Sequence, residues 1–170
     1  MNKRLTFLFL VLIISLYVFI TLNYPEQKEE FVKNKTITNY SDLLFHYNVI
    51  KYPSNVSVTR LEENVTLGFV TDEWNLNFGM VPVNLSYAKR FIMIKNSEEK
   101  SQKISFEVHG SIKPLVVFNK NNFVLSKDET EEVEVYLFTN STKVGNYSGE
   151  IYVKIQKPKY DFLYSVLGWS

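Results

Sequence analysis

The stretch Val144–Ile155, VGNYSGEIYVKI, decides the fold class. Ile151, Val153 and Ile155 alternate with Tyr152 and Lys154, the period of two that gives a strand one buried face. Gly145 leads the strand in from NSTKVG, where a turn asks for backbone freedom. Tyr147, between Gly145 and Gly149, is placed to pack its ring inward and send its hydroxyl to the backbone. The same alternation recurs upstream. Val133, Val135 and Leu137 are interleaved with Glu134 and Tyr136, and Ile104, Phe106 and Val108 alternate in KISFEVHG. Trp74, Leu76 and Phe78 alternate in WNLNFG, as do Val65, Leu67 and Phe69, and then Val56 and Val58. In RFIMIKN, Phe91 and Met93 face one way and Ile92 and Ile94 the other; Leu115 to Phe118, Phe123 and Leu125 add short apolar pieces.

About eight short strands separated by turn residues predict an all-β, two-layer antiparallel sandwich. No amphipathic crossover helix lies between them, which disfavours a parallel α/β fold. KNSEEKS (95–101) and NKNN (119–122) read as turns. Pro82 donates no ladder hydrogen bond and so belongs at an edge or in a connection between sheets. Thr38 to Pro53 reads two ways, as a short helix capped by Ser41 that buries Leu43, Leu44 and Tyr47, or as an irregular strand.

Leu5 to Leu22 is an 18-residue run without charge, near the length that crosses a bilayer as a helix. Lys3 and Arg4 precede it and no basic residue follows before Lys28. The positive-inside rule then puts residues 1–4 in the cytoplasm and the remainder outside. The run ends in FITLNYP, without the small-x-small pattern of a cleaved signal, so an uncleaved anchor is expected. The resulting division is anchor helix 5–22, juxtamembrane spacer and irregular segment 23–54, β-sandwich 55–157 and aromatic tail 158–170. Lys+Arg 19 against Asp+Glu 18 becomes 17 against 18 once Lys3 and Arg4 are set aside. A near-neutral outer part gives no electrostatic case for nucleic acid. With 0 Cys there is no disulfide, thiolate metal site or thiol nucleophile. Sequons at Asn34, Asn39, Asn55, Asn64, Asn84, Asn140 and Asn146 mark candidate glycosylation sites on an extracytoplasmic surface. The competing explanation is chance, since Asn, Ser and Thr are frequent here.

No residue set carries recognisable chemistry, so no catalytic, cofactor or metal residue is assigned and a non-enzymatic role is expected. A small-molecule ligand is not expected either. His46 and His109, the only histidines, share no ligand spacing and are read as structural. Asp128, Glu129, Glu131, Glu132 and Glu134 lack the pattern of a calcium loop and read as a solvated strand face. Asp72 and Glu73, adjacent on a strand, point to opposite faces and do not form a hydrolytic pair. The tail PKYDFLYSVLGWS is dense in Tyr160, Phe162, Leu163, Tyr164, Val166, Leu167 and Trp169, and all of these but Val166 are assigned to partner contact. A final strand or lid packed on the core explains such a tail structurally. A strand donated to a partner, or an aromatic foot at a membrane interface, explains it functionally.

Leu76–Asn96, LNFGMVPVNLSYAKRFIMIKN, is similar to the opening of ASH/MSP-type immunoglobulin-like domains, in which F-G-x-V-x-V precedes a polar turn and an apolar strand ending in Asn. Leu125–Ile155 resembles the closing half of prokaryotic immunoglobulin- or fibronectin-like envelope domains. Together they cover about half the chain and imply a prokaryotic immunoglobulin-like envelope domain, which the anchor run attaches to a membrane and which the Asn-, Lys- and Ile-rich composition, the sequons and the absence of cysteine make archaeal in character. Such domains are scaffolds and adhesion modules, and fold alone fixes no activity. The expected function is a structural or protein-binding element of the cell envelope, bound to an envelope protein or to itself. The alternatives are a subunit of an archaeal surface filament or motor, such as an archaellum stator, and a carbohydrate-binding module stacking sugars on Trp74 or Trp169.

Overall fold

A computed structural model describes residues 13–15, 31–60, 75–83, 87–140 and 142–169. The chain divides into two units, Met1–Glu30 and Phe31–Ser170. In the first, residues 13–15 are helical. The rest of the expected anchor 5–22 lies outside the described residues, among which no helix is long and apolar enough to cross a membrane.

The second unit is all-β. Its strands are β1 (Thr36–Ser41), β2 (Phe45–Thr59), β3 (Leu76–Pro82), β4 (Tyr87–Lys95), β5 (Gln102–Gly110), β6 (Val116–Phe118), β7 (Phe123–Leu125), β8 (Thr130–Phe138) and β9 (Gly145–Pro158). A 3-10 turn (Lys113–Leu115) precedes β6, and a short helix, α1 (Asp161–Leu167), follows β9. One sheet runs β1-β2-β9-β5-β7, with β3 also paired to β2; the other runs β4-β8-β6. All pairings are antiparallel except β2 with β3, which is parallel.

Period-two patterning explains the layers. From the small sheet Ile92, Ile94, Val133, Val135 and Leu137 point inward, and from the large sheet Val56, Val58, Ile104, Phe106, Ile151 and Val153 meet them in one buried cluster. Each fully buried Val or Ile contributes roughly 1.5–3 kcal/mol relative to exposure. The alternating residues read from the sequence on β5, β8 and β9 line this core or pack against it, and for RFIMIKN the structure turns Ile92 and Ile94, rather than Phe91 and Met93, inward. Tyr147 packs against that core, and its hydroxyl donates to Lys143 O at 2.8 Å. Pro82 ends β3, the strand that leads from the large sheet towards β4, and its carbonyl accepts from Thr139 Oγ1 at 2.7 Å.

The all-β unit begins before residue 55. Thr38 to Pro53 is strand, not helix, because Asp42 rather than Ser41 organises the local chain. Asp42 Oδ1 accepts from the backbone of Leu44 (2.8 Å) and Phe45 (2.7 Å), which closes a tight turn between β1 and β2. Pro53 is tolerated because on that side β2 pairs with β1 only up to Lys51 and with β3 only from Ser54, so Pro53 falls in the gap between them. β5 and β9 approach closely at Gly110 opposite Gly149. A Cβ on Gly149 would lie 1.9 Å from His109 O, and one on Gly110 (φ 87°) 2.6 Å from Ser148 O.

Candidate contact surfaces

The tail is a lid, not a strand. Asp161 places negative charge in the first turn of α1, where the helix dipole favours it, and Gly168 ends the helix in the left-handed conformation (φ 66°). Trp169 N–H then donates to Tyr164 O at 2.9 Å. Leu163 and Trp169 are buried, the indole 6.2 Å from the Phe45 ring. Of the residues assigned to partner contact, these two therefore belong to the interior. The donated-strand reading does not hold, because Phe162, Leu163, Tyr164 and Leu167 are helical. Trp169 is no exposed sugar platform, and Trp74 lies outside the described residues.

Turning Leu163 and Trp169 inward leaves the opposite side of α1 in solvent. Phe162 is 61% and Val166 74% exposed, with Tyr160 and Leu167 less so. Lys159 N–H donates to Leu44 O at 2.8 Å, which sets the tail beside the β1–β2 turn, where Leu43 is 80% exposed. The Tyr160 and Phe162 rings stack at 5.9 Å. The result is an apolar end built from two chain segments. Leu43, Leu44 and Val166 were not among the residues assigned from the sequence. The spacing of Leu163, Tyr164 and Leu167 before Gly168 is a helix signal that could have found α1, though not which of its sides is covered.

Polar contacts hold this end. Asp42 Oδ2 accepts from the Tyr47 hydroxyl at 2.8 Å. The backbone N–H of Phe45, then the Tyr47 hydroxyl, hold the Asp42 carboxyl below its usual range. Burial, then the bond to Asp42, pushes Tyr47 up to about 12. Lys100 pairs with Asp161 and sits over the Tyr164 ring at 5.1 Å. Asn96, 1% exposed, joins two neighbouring turns: Nδ2 donates to Lys100 O, Leu125 O and Ser126 O at 3.0, 3.1 and 3.0 Å, and Oδ1 accepts from Glu98 N–H at 3.0 Å.

The outer face of the small sheet is a second exposed surface. Tyr87, Phe91, Met93, Val117 and Phe138 lie open on it. The Lys89 ammonium lies over Phe91 (4.8 Å) and Tyr136 (5.4 Å) and pairs with Glu134. The Lys89 ammonium and then the Tyr136 hydroxyl hold Glu134 below the ordinary carboxylate range, and Glu134 raises Lys89 in return. Much of the acidic run is thus paired: Glu131 meets Lys120 at 2.8 Å, and Glu129 Oε2 accepts from Ser126 N–H at 2.7 Å.

The histidines do not meet. His46 lies opposite Lys157 of β9 and His109 opposite Glu150. Seven residues of strand separate those partners, about 23 Å at 3.3 Å each. His46 Nδ1 contacts Ser41 Oγ at 2.7 Å, and His109 packs on Tyr152 with ring centroids 4.3 Å apart. Among the described residues no three potential metal-ligating side chains cluster. No protein-family model and no curated protein matches the chain.

Proposed function

We propose that this protein is a membrane-anchored, extracytoplasmic immunoglobulin-like β-sandwich that acts without catalysis as a structural or protein-binding element of an archaeal cell envelope. The observation that carries the reading is the exposed apolar end formed by α1 and the β1–β2 turn. Soluble surfaces seldom gather Leu43, Phe162 and Val166 at such exposure without a partner. The partner is a protein with an apolar surface rather than lipid. Helices that lie in a membrane interface carry basic residues on their polar face, and DFLYSVL has none. The anchor reading rests on Leu5–Leu22 and its basic flank.

The test uses the full chain in its own membranes. A photo-crosslinking amino acid at Phe162 or Val166 is expected to give discrete protein adducts, and one at exposed Glu132 none. Adducts to lipid alone, or equal protein labelling at Glu132, would defeat the reading of this end. The chain has 0 Cys, so Glu132→Cys adds a single thiol. Labelling by a membrane-impermeant maleimide on intact cells is expected; protection until lysis would refute the outward orientation.

A further inference from the structure

Among the described residues, the sequon asparagines share one property, a side chain that is open to solvent. The five sequon asparagines among the described residues, Asn34, Asn39, Asn55, Asn140 and Asn146, are all exposed. None of their carboxamides takes part in a hydrogen bond. Four asparagines outside sequons are tied to backbone. Asn77 Oδ1 accepts from Gly79 N–H, Asn119 Oδ1 from Glu134 N–H, Asn121 bonds both N–H and O of Phe106, and Asn96 makes the contacts given above. Asn122, also exposed, and Asn48 make no side-chain hydrogen bond although neither lies in a sequon. An acceptor nitrogen has every reason to be free, because a bulky glycan must leave from it into solvent.

One of the five stands where the fold needs cover. β1 is the outermost strand of the large sheet, paired only with β2 among the described residues. Its sequence, TITNYS, has none of the Lys, Pro or inward charge that usually blocks an open edge, and Ile37 is 58% exposed. Asn39 lies in the middle of this strand, and Asn34 shortly before it.

We propose that these asparagines are N-glycan acceptors and that the glycan on Asn39 shields the β1 edge from pairing with a second copy of the chain. The proposal rests on the extracytoplasmic reading above. The donor is a polyprenyl-phosphate-linked saccharide. Asn Nδ2 attacks the anomeric carbon, the N–C1 bond forms as the C1–O bond to the phosphate breaks, the lipid phosphate leaves with the electron pair, and Nδ2 gives up one proton. The sequon hydroxyl at the second following position, Ser41 for Asn39, is part of the acceptor motif.

The experiment takes full-length protein from membranes of a host that makes such donors and maps glycopeptides by tandem mass spectrometry. Glycan is expected on Asn39 and on a majority of the other four, and absent from Asn119 and Asn121. Asn39→Gln and Ser41→Ala are each expected to remove it from that site. Sedimentation of the detergent-solubilised protein is then expected to show concentration-dependent dimers in Asn39→Gln and Ser41→Ala but not in Asn140→Gln. An unmodified Asn39, or variants that remain as monodisperse as the parent, would overturn the proposal. The Glu132→Cys labelling separates the two failures. Labelling from outside with no glycan sinks the acceptor proposal alone; protection from label sinks the orientation on which it rests.

Discussion

Replacing Asn96 tests the physics of the apolar end most directly. Its side chain has two N–H donors shared among three carbonyls and one acceptor receiving Glu98 N–H, about three full hydrogen bonds. At roughly 0.5–1.5 kcal/mol net for each, and with buried carbonyls left without a donor, Asn96→Ala should cost about 3 kcal/mol. For a unit of about 140 residues at ~2.1 cal/mol/K per residue, that is about 10 °C in Tm. Asn96→Asp keeps the shape and reverses the hydrogen-bond sense, because a carboxylate would face three carbonyl oxygens. The introduced carboxyl should therefore have a folded pKa above its unfolded value of about 3.9. A carboxyl raised on folding penalises the folded state once pH exceeds the unfolded pKa, and the penalty grows until the folded pKa is passed. The Tm deficit of Asn96→Asp relative to the parent should thus shrink as pH falls from 7 towards 4. Thermal unfolding of a 31–170 fragment, or of the full chain in detergent should the fragment not fold, measures both effects. An Asn96→Ala variant within ~0.5 kcal/mol of the parent, the usual range of a neutral surface change, would refute the reasoning. So would an aspartate deficit that does not vary with pH.

Gly149→Ala drives a Cβ into the His109 carbonyl at the β5–β9 crossing. It should cost about 1–3 kcal/mol of overpacking, read as a fall in denaturant midpoint, although alanine in place of a strand glycine ordinarily helps. Tyr47 should ionise near pH 12. The difference in ultraviolet absorbance titration between the parent and Tyr47→Phe isolates it, and Asp42→Asn should bring its midpoint down. Because the folded Tyr47 pKa is raised, its contribution is complete below about pH 10 and lost as pH rises towards 12. The Asp42 carboxyl is shifted the other way, so its support of the β1–β2 turn should be present above the ordinary carboxylate range and disappear in stronger acid. Hydrogen exchange of the Leu44 and Phe45 amides against pH measures that loss.

The strands with clean alternation were legible because each has one wet and one dry face. Val133, Val135 and Leu137, or Ile104 and Phe106, declare the buried side without reference to any partner. β1 and the first part of β2, up to Pro53, were not legible. β1 is exposed along nearly all its length, and the part of β2 up to Pro53 is half-buried on both sides, so neither shows the period that Val56 and Val58 show further along. The candidate contact end was half legible. Aromatic density marked the tail, but α1 is seven residues long, about two turns, and two turns give little room for a helical period to stand out.

The amino-acid sequence by itself determined that the unit Phe31–Ser170 is β, which side of most of its well-patterned strands is dry, and that Tyr147 would pack inward and bond to the backbone. Only the tertiary structure decided which strands are neighbours, that β3 lies parallel to β2, and that Leu163 and Trp169 are covered while Phe162, Val166 and Leu43 are bare. The reason is physical. Side-chain alternation is a local property of one strand, whereas pairing, register and the exposure of the tail depend on groups far apart in the chain that meet only when the two sheets close over a common core.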